Sequence, residues 1–271
     1  MVAMDVAAVV VASCRAAVHM HAPFSPSIHA DRARLHTAGS VAANLTFCDP
    51  SLSFEDRAVA LVANLTLDEK VTHWTVTGMH QGIGRLNIKG FNWDSTCIHG
   101  PPFSGVTVTP HAINQGATFD VKLIERLSGA TADEMRAITQ REYRSSGGAA
   151  YIGLSCDGGP LANNAHDPRW GRISETYGED PYLITRMGVT ATATMQRPVA
   201  DATGRTFLKT SQTTRHYMGY HQSNLMGDPQ INVTERDLRD QFLPAYEAFQ
   251  VDGPSWIGLP GGRAEAIMCS C

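Results

Sequence analysis

The sequence predicts an α/β fold in which short parallel strands alternate with helices. Three observations carry this. Helix-start chemistry recurs along the chain, at Ser53, Thr66, Asp120, Asp180 and Thr234. Short apolar runs of strand character fall between these starts. No repeat of 20–50 residues is visible, which argues against a solenoid or propeller. The 271 residues are 43% hydrophobic and 18% charged, enough apolar material for one large domain or two small ones. A net charge of −4 without a basic stripe argues against a nucleic-acid partner. No apolar window is long enough for a membrane span.

Residues 1–46 read as a leader and linker rich in Ala, His and Ser, with order expected from about Phe47. Within it, Val6 to Ala12 is a short apolar run like the core of a secretory signal, although Asp5 replaces the usual basic start. Sequons at Asn44, Asn64 and Asn232 agree with a secreted chain. Ser53 with Asp56 starts a helix whose apolar stripe is Phe54, Ala58, Leu61, Val62 and Leu65. Thr66 with Glu69 is a capping box for the next, "TLDEKVTHW". Asp120 caps a long helix with Ile124, Leu127, Thr131, Met135 and Ile138 on its buried face. Asp180 followed by Pro181 starts another, with Ile184, Met187, Ala191 and Met195 inward. Thr234 with Asp237 opens the last, where Leu238, Phe242, Ala245 and Phe249 share a side and Pro244 is expected to bend it. Strands are expected in "GFNW" (90–93), "AAYIGLSC" (149–156), "TFLKT" (206–210) and "AIMCS" (266–270).

Chemistry in such folds sits on loops after strands. One such loop is "HDPRWGRISETYGEDPYL", residues 166–183. Asp167-Pro168 initiates a turn, and most of its charges are expected to pair within the loop. One Arg is expected to turn inward as a planar multi-donor for hydroxyls or a carboxylate. In "TTRHYMGYH" (213–221), Arg215 and His216 are adjacent, and an extended backbone would point them to opposite sides. In "FNWDSTCIHG" (91–100), Asp94 and His99 are polar and Trp93 offers a stacking face. The six Cys form no CxxC pair, which disfavours structural zinc. They read as buried thiols, or as one or two disulfides of unreadable connectivity if the chain is secreted. No metal-ligand set, G-x-G-x-x-G, P-loop or G-x-S-x-G elbow is present, so no metal, no cofactor and no elbow-type serine hydrolase is expected.

Five segments in order resemble the N-terminal domain of glycoside hydrolase family 3, in its β-xylosidase and β-glucosidase branch. They are "LVANLTLDEKV", "IGRLNIKGFNWDSTCIHG", "DPRWGRISETYGEDPYL", "NVTERDLRDQFLPAYEAF" and "AIMCSC", and the resemblance covers 47–271. It implies a TIM-like (β/α) barrel. Eight β/α units take about 250 residues, so roughly six units, an incomplete barrel with exposed strand edges, are expected here. It further implies an exo-acting, retaining β-glycosidase, β-xylosidase-like, acting on a β-linked oligosaccharide or glycoside. Carried over by motif, the sugar is gripped by Arg172 and His216, with Arg215 where the family has Lys. Thr96 stands at an acidic grip position, and Asp94 is the expected substitute. Cys271 stands where the family has Tyr, and the family's nucleophile and acid/base are expected beyond it, leaving this chain inactive alone. The stretch 252–266 looks longer and looser than the family's link into the last strand. The alternative is a non-catalytic sugar-binding remnant.

Overall fold

The structure is a computed structural model that describes residues 45–49, 51–75, 79–80, 82–92, 94–147, 152–156, 159, 161–200, 204, 206–220 and 233–269. The expected leader lies almost wholly outside these residues, as do Asn44, Trp93, Asn232 and Cys271. The chain divides into two compact units. One comprises Met1–Trp93, Ile138–Gly153 and Ala200–Phe207; the other comprises Asp94–Ala137, Leu154–Val199 and Leu208–Cys271.

In the first unit, helix α1 spans Phe54–Asn64 and starts as the sequence predicts, with Ser53 Oγ accepting from Asp56 N at 3.1 Å. Ala58 and Leu61 bury against the turn Thr46–Cys48, where Phe47 is wholly enclosed. Phe54 and Val62, expected inward, are exposed; the inward place is taken by Arg57, whose Nε donates to Phe47 O at 2.8 Å. Helix α2, Leu67–Thr75, opens with the expected reciprocal box. Glu69 N donates to Thr66 Oγ1 at 3.2 Å and Thr66 N to Glu69 Oε2 at 2.9 Å. Strands β1 (Met79–His80) and β2 (Phe91–Asn92) pair antiparallel.

The second unit is built on a parallel sheet, and this shows the α/β class. Strand β3 is Asp94–Ser95, followed by α3 (Ala112–Gly116) and the long α4 (Val121–Ser145), whose part from Ile138 belongs to the first unit. Asp120 Oδ1 caps α4 through Leu123 N at 3.0 Å, and Ile124, Thr131 and Met135 bury as expected. Next come β4 (Ser155–Cys156) and α5 (Pro181–Met195). Asp180 caps α5 by accepting from Tyr182 N and Leu183 N, with Pro181 in its first turn. The short strands β5 (Pro198–Ala200) and β6 (Thr206–Leu208), which flank the chain's passage through the first unit at Ala200–Phe207, form a sheet of their own. The strand expected at 206–210 therefore does not enter the parallel sheet. That place belongs to β7, Ser211–Tyr217, whose inward side chains Gln212, Thr214 and His216 are polar.

Thr234 Oγ1 caps α6 (Glu235–Asp237) through Asp237 N at 3.1 Å. A π-helical turn, Leu238–Phe242, then leads into α7 (Leu243–Gln250). The bend expected at Pro244 takes this form because proline has no N–H for the regular ladder. Strand β8 is Ala266–Cys269, and the sheet order is β3-β4-β7-β8. Helices α5 and α7 bury Ile184, Met187, Ala245, Ala248 and Phe249 in one core. They meet at Gly188, where a Cβ would lie 1.8 Å from Phe249 Cζ. Cys97, just past β3, is bonded to Cys156 at the end of β4.

Candidate functional site

The loop 166–178 is braced by its own backbone and charges. Asp167 accepts from Arg169 N at 2.9 Å and pairs with the Arg169 guanidinium at 2.6 Å. Trp170 N donates to Asp167 O, and Ala165 N to Gly178 O at 2.9 Å. Gly116 permits the close pass of this loop, since a Cβ there would lie 2.0 Å from Tyr177 O. Tyr177 is fully enclosed, and burial pushes its phenol well above the ordinary range.

Arg172 turns inward and joins a compact cluster. Its Nε donates to Glu175 Oε1 at 2.6 Å and its Nη2 to Glu175 Oε2. Arg215 approaches the same carboxylate at 3.9 Å. Arg172 Nη1 lies 3.4 Å from His216 Nε2. The expectation that Arg215 and His216 diverge is thus not met: both reach the Arg172–Glu175 pair. Burial along β7 still alternates, with His216 enclosed and Arg215 partly so, while the β7–β8 ladder shifts register between Thr214 and Tyr217. Tyr220 forms the wall of the cluster, with its ring centroid 5.8 Å from Trp170, 5.1 Å from His216 and 5.7 Å from the Arg172 guanidinium carbon.

The main chain of His216 is clamped. Asn163 Oδ1 accepts from His216 N at 2.7 Å, and Asn163 Nδ2 donates to His216 O at 3.1 Å. Tyr246 Oη also donates to His216 O. An imidazole held among cations resists protonation. Burial first, then Arg215 and Arg172, lower the His216 pKa to about 4, against a smaller upward pull from Glu175. A guanidinium can only donate, so Nε2 is the acceptor and the imidazole proton sits on Nδ1. His216 Nδ1, Trp170 Nε1 and both polar atoms of Asn164 are buried without a hydrogen-bond partner. Buried polar groups are seldom left so, and a polar ligand would satisfy them.

A family model described as the glycosyl hydrolase family 3 N-terminal domain matches residues 91–254. The chain belongs to glycosyl hydrolase family 3. This family 3 chain is 34% identical over 241 residues to a xylan 1,4-beta-xylosidase of Xylanibacter ruminicola, covering 86% of this chain and 26% of that protein. It is 30% identical over 243 residues to beta-D-xylosidase 3 of Arabidopsis thaliana, covering 84% and 29%. Among solved structures, a GH3 exo-beta-xylosidase (XlnD) in complex with a xylobiose aziridine activity-based probe superposes with a TM-score of 0.66. That match has 24% identity and covers 86% of this chain and 29% of that one, a likeness of fold. The family 3 chain therefore spans a little over a quarter of the length of these relatives.

Of the site residues predicted for the family 3 chain, Arg172, Arg215 and His216 come together. Asp94 has its backbone in β3 opposite Ser155, but its side chain lies outside what the structure describes, and Thr96 is exposed. Sequence reasoning missed Tyr220, Asn163 and Tyr246, and took Glu175 for one loop brace among several. The signals were thin: a Tyr five residues after Arg215, and an Asn pair at the mouth of the loop. Among the described residues no group of three or more His, Cys, Asp or Glu could hold a metal, and no helix is long and apolar enough to cross a membrane.

The low pKa of His216 has a consequence for stability. The unfolded imidazole takes up a proton near pH 6.5, the folded one near 4. The neutral form's contribution is complete above the unfolded value and is lost as pH falls towards 4. Urea midpoints should therefore drop between pH 7 and pH 5, and His216→Gln should flatten that drop. An unchanged slope in the variant would contradict the assignment.

Proposed function

We propose that this chain is the sugar-gripping part of an exo-acting, retaining β-glycosidase of the β-xylosidase kind, acting on β-linked xylosides. The observation that carries this is the cluster of Arg172, Arg215 and His216 around Glu175 against the Tyr220 ring. It offers fixed donors to sugar hydroxyls and an aromatic wall to the apolar C–H side of a ring. The relatives named as xylosidases supply the substrate class. The parallel sheet β3-β4-β7-β8 is, on this reading, one side of a TIM-like barrel.

Retaining hydrolysis needs a nucleophilic carboxylate and an acid/base about 5–5.5 Å apart. Glu175 is engaged by two guanidinium groups and serves binding instead. The cleaving carboxylates, on this reading, come from parts of such enzymes that this chain does not match. The chain alone then binds and does not cleave, which also covers the reading as a non-catalytic remnant. The Cys97–Cys156 bond fits an oxidising compartment, in keeping with secretion.

Titration of the 271-residue chain with xylobiose tests the binding. Arg172→Ala is expected to weaken it about tenfold or more, as loss of a charge-assisted contact does. Maltose, with its α-linkage, is expected to bind worse than xylobiose. Equal xylobiose binding by wild type and Arg172→Ala would refute the assignment, and nitrophenyl xyloside turnover by the chain alone would refute its inactivity.

A further inference from the structure

The stretch 252–266, expected to be loose, is hydrogen-bonded along its length. Ser255 N and Oγ both donate to Leu259 O, at 2.7 and 2.8 Å, and Gly258 N donates to Ser255 O at 2.8 Å. Gly261 N donates to Gly253 O, and Pro254 and Pro260 form an antiparallel bridge. Gly262 N and Ala264 N then tie the stretch to Ala248 O and Phe249 O of α7. The result is a rigid hairpin, and its tip carries Trp256.

Trp256 is fixed twice. Its indole N–H donates to Pro244 O, in the first turn of α7, at 2.8 Å. Its ring meets Tyr182, in the first turn of α5, edge to face with centroids 6.3 Å apart at 76°. Yet Trp256 is 46% exposed and Tyr182 52%. Both rings stand at helix starts, Tyr182 in the first turn of α5 and Trp256 against the first turn of α7. Tyr182 follows the Arg172 loop directly. His166, which opens the loop, stacks edge to face on Phe242, just before α7, at 5.9 Å. Neither ring belongs to the Arg172 cluster.

We propose that Tyr182 and Trp256 form a second carbohydrate contact, which stacks on the sugar rings of a β-linked polysaccharide and holds the polymer beside the site. The choice of a glycan rests on the function proposed above. The size of the patch supports it. Each ring buries about 200 Å² when fully covered, so two half-exposed rings offer about 200 Å² in all. A stable protein partner needs about 800 Å² on each side, whereas one or two sugar rings fit the smaller area. Exposed Glu179 and Asp180 precede Tyr182, which disfavours an anionic partner such as a lipid headgroup and leaves a neutral glycan unopposed. Rings already held in place lose little freedom on binding.

The test is native electrophoresis of the 271-residue chain through gels containing soluble β-1,4-xylan, with starch as the α-linked control. Xylan is expected to retard the chain and starch is not. Trp256→Ala and Tyr182→Ala should each raise the apparent dissociation constant for xylan about tenfold, with Trp256→Phe in between. The cap of α5 uses the main chain of Tyr182, so Tyr182→Ala leaves it in place. Arg172→Ala should stay retarded while losing xylobiose. Retardation that depends on Trp256 in a chain that binds no xylobiose would uphold this contact while sinking the proposed function. The contact is overturned if the wild-type chain is not retarded by xylan, or is retarded equally by starch. It is also overturned if either alanine variant, with a wild-type melting curve, is retarded like wild type. A wild-type dimer in light scattering that Trp256→Ala dissociates would overturn it in favour of a second copy.

Discussion

Glu175→Ala is expected to lower stability by about 2 kcal/mol, between the values for exposed and buried ion pairs, and to weaken xylobiose binding at least tenfold. The carboxylate holds Arg172 through two hydrogen bonds and faces Arg215 at 3.9 Å, with every partner at least partly buried. Without it, Arg172 loses both of its carboxylate hydrogen bonds and the charge that faces Arg215 is gone. Arg172 would then leave the Tyr220 wall, and the donors aimed at a sugar would scatter. Glu175→Gln keeps one acceptor oxygen and should fall between the two. A purely structural role would leave one readout unmoved. Glu175 pulls the His216 pKa upward, so in the variant the acid-side loss of stability should begin at the same pH, set by the unfolded imidazole, and continue to lower pH. Urea midpoints across pH 4–7 and a xylobiose titration measure both effects. Wild-type binding by Glu175→Ala would sink the idea.

Gly188→Ala is expected to destabilise the second unit strongly. The added carbon would sit 1.8 Å from Phe249 Cζ and 2.4 Å from Cε1, far inside contact distance. Both residues lie in the core between α5 and α7, so neither ring nor helix can yield into solvent. A loss of about 3 kcal/mol is expected, at the upper end of overpacking effects. The double variant with Phe249→Leu should recover at least about 1 kcal/mol of the summed single losses, because the two sites share one space. Strict additivity in denaturant midpoints would show that the helices part elsewhere.

Helix starts were legible because capping is local. Ser53, Thr66, Asp120, Asp180 and Thr234 each accept main-chain N–H groups two or three residues ahead. Strand β7 was misplaced because its inward side chains are polar. Gln250 satisfies Thr214 at 2.9 Å, and Gln196 satisfies the Gln212 main chain at 2.9 Å, and these partners come from distant sequence. A rule that seeks apolar runs settles on 206–210 instead. The site divides the same way. Arg172 and His216 were named from short motifs, whereas Asn163 and Tyr246 reach His216 across 53 and 30 residues. Nothing local marks that convergence. The pairing of Cys97 with Cys156 was equally unreadable, since it depends on which strands become neighbours.

With Cys97 joined to Cys156, the chain that unfolds carries a closed ring. The closed part spans 59 residues and contains all of α3 and α4. On the chain-entropy account, a ring of that size removes about 4 kcal/mol of freedom from the denatured state. Strands β3 and β4 therefore never drift far apart once the bond is made. Arg172, Glu175, Arg215 and His216 all follow Cys156 in sequence and lie outside the ring it closes. Once the bond is made, the binding cluster thus assembles on two strands that are already tied to each other.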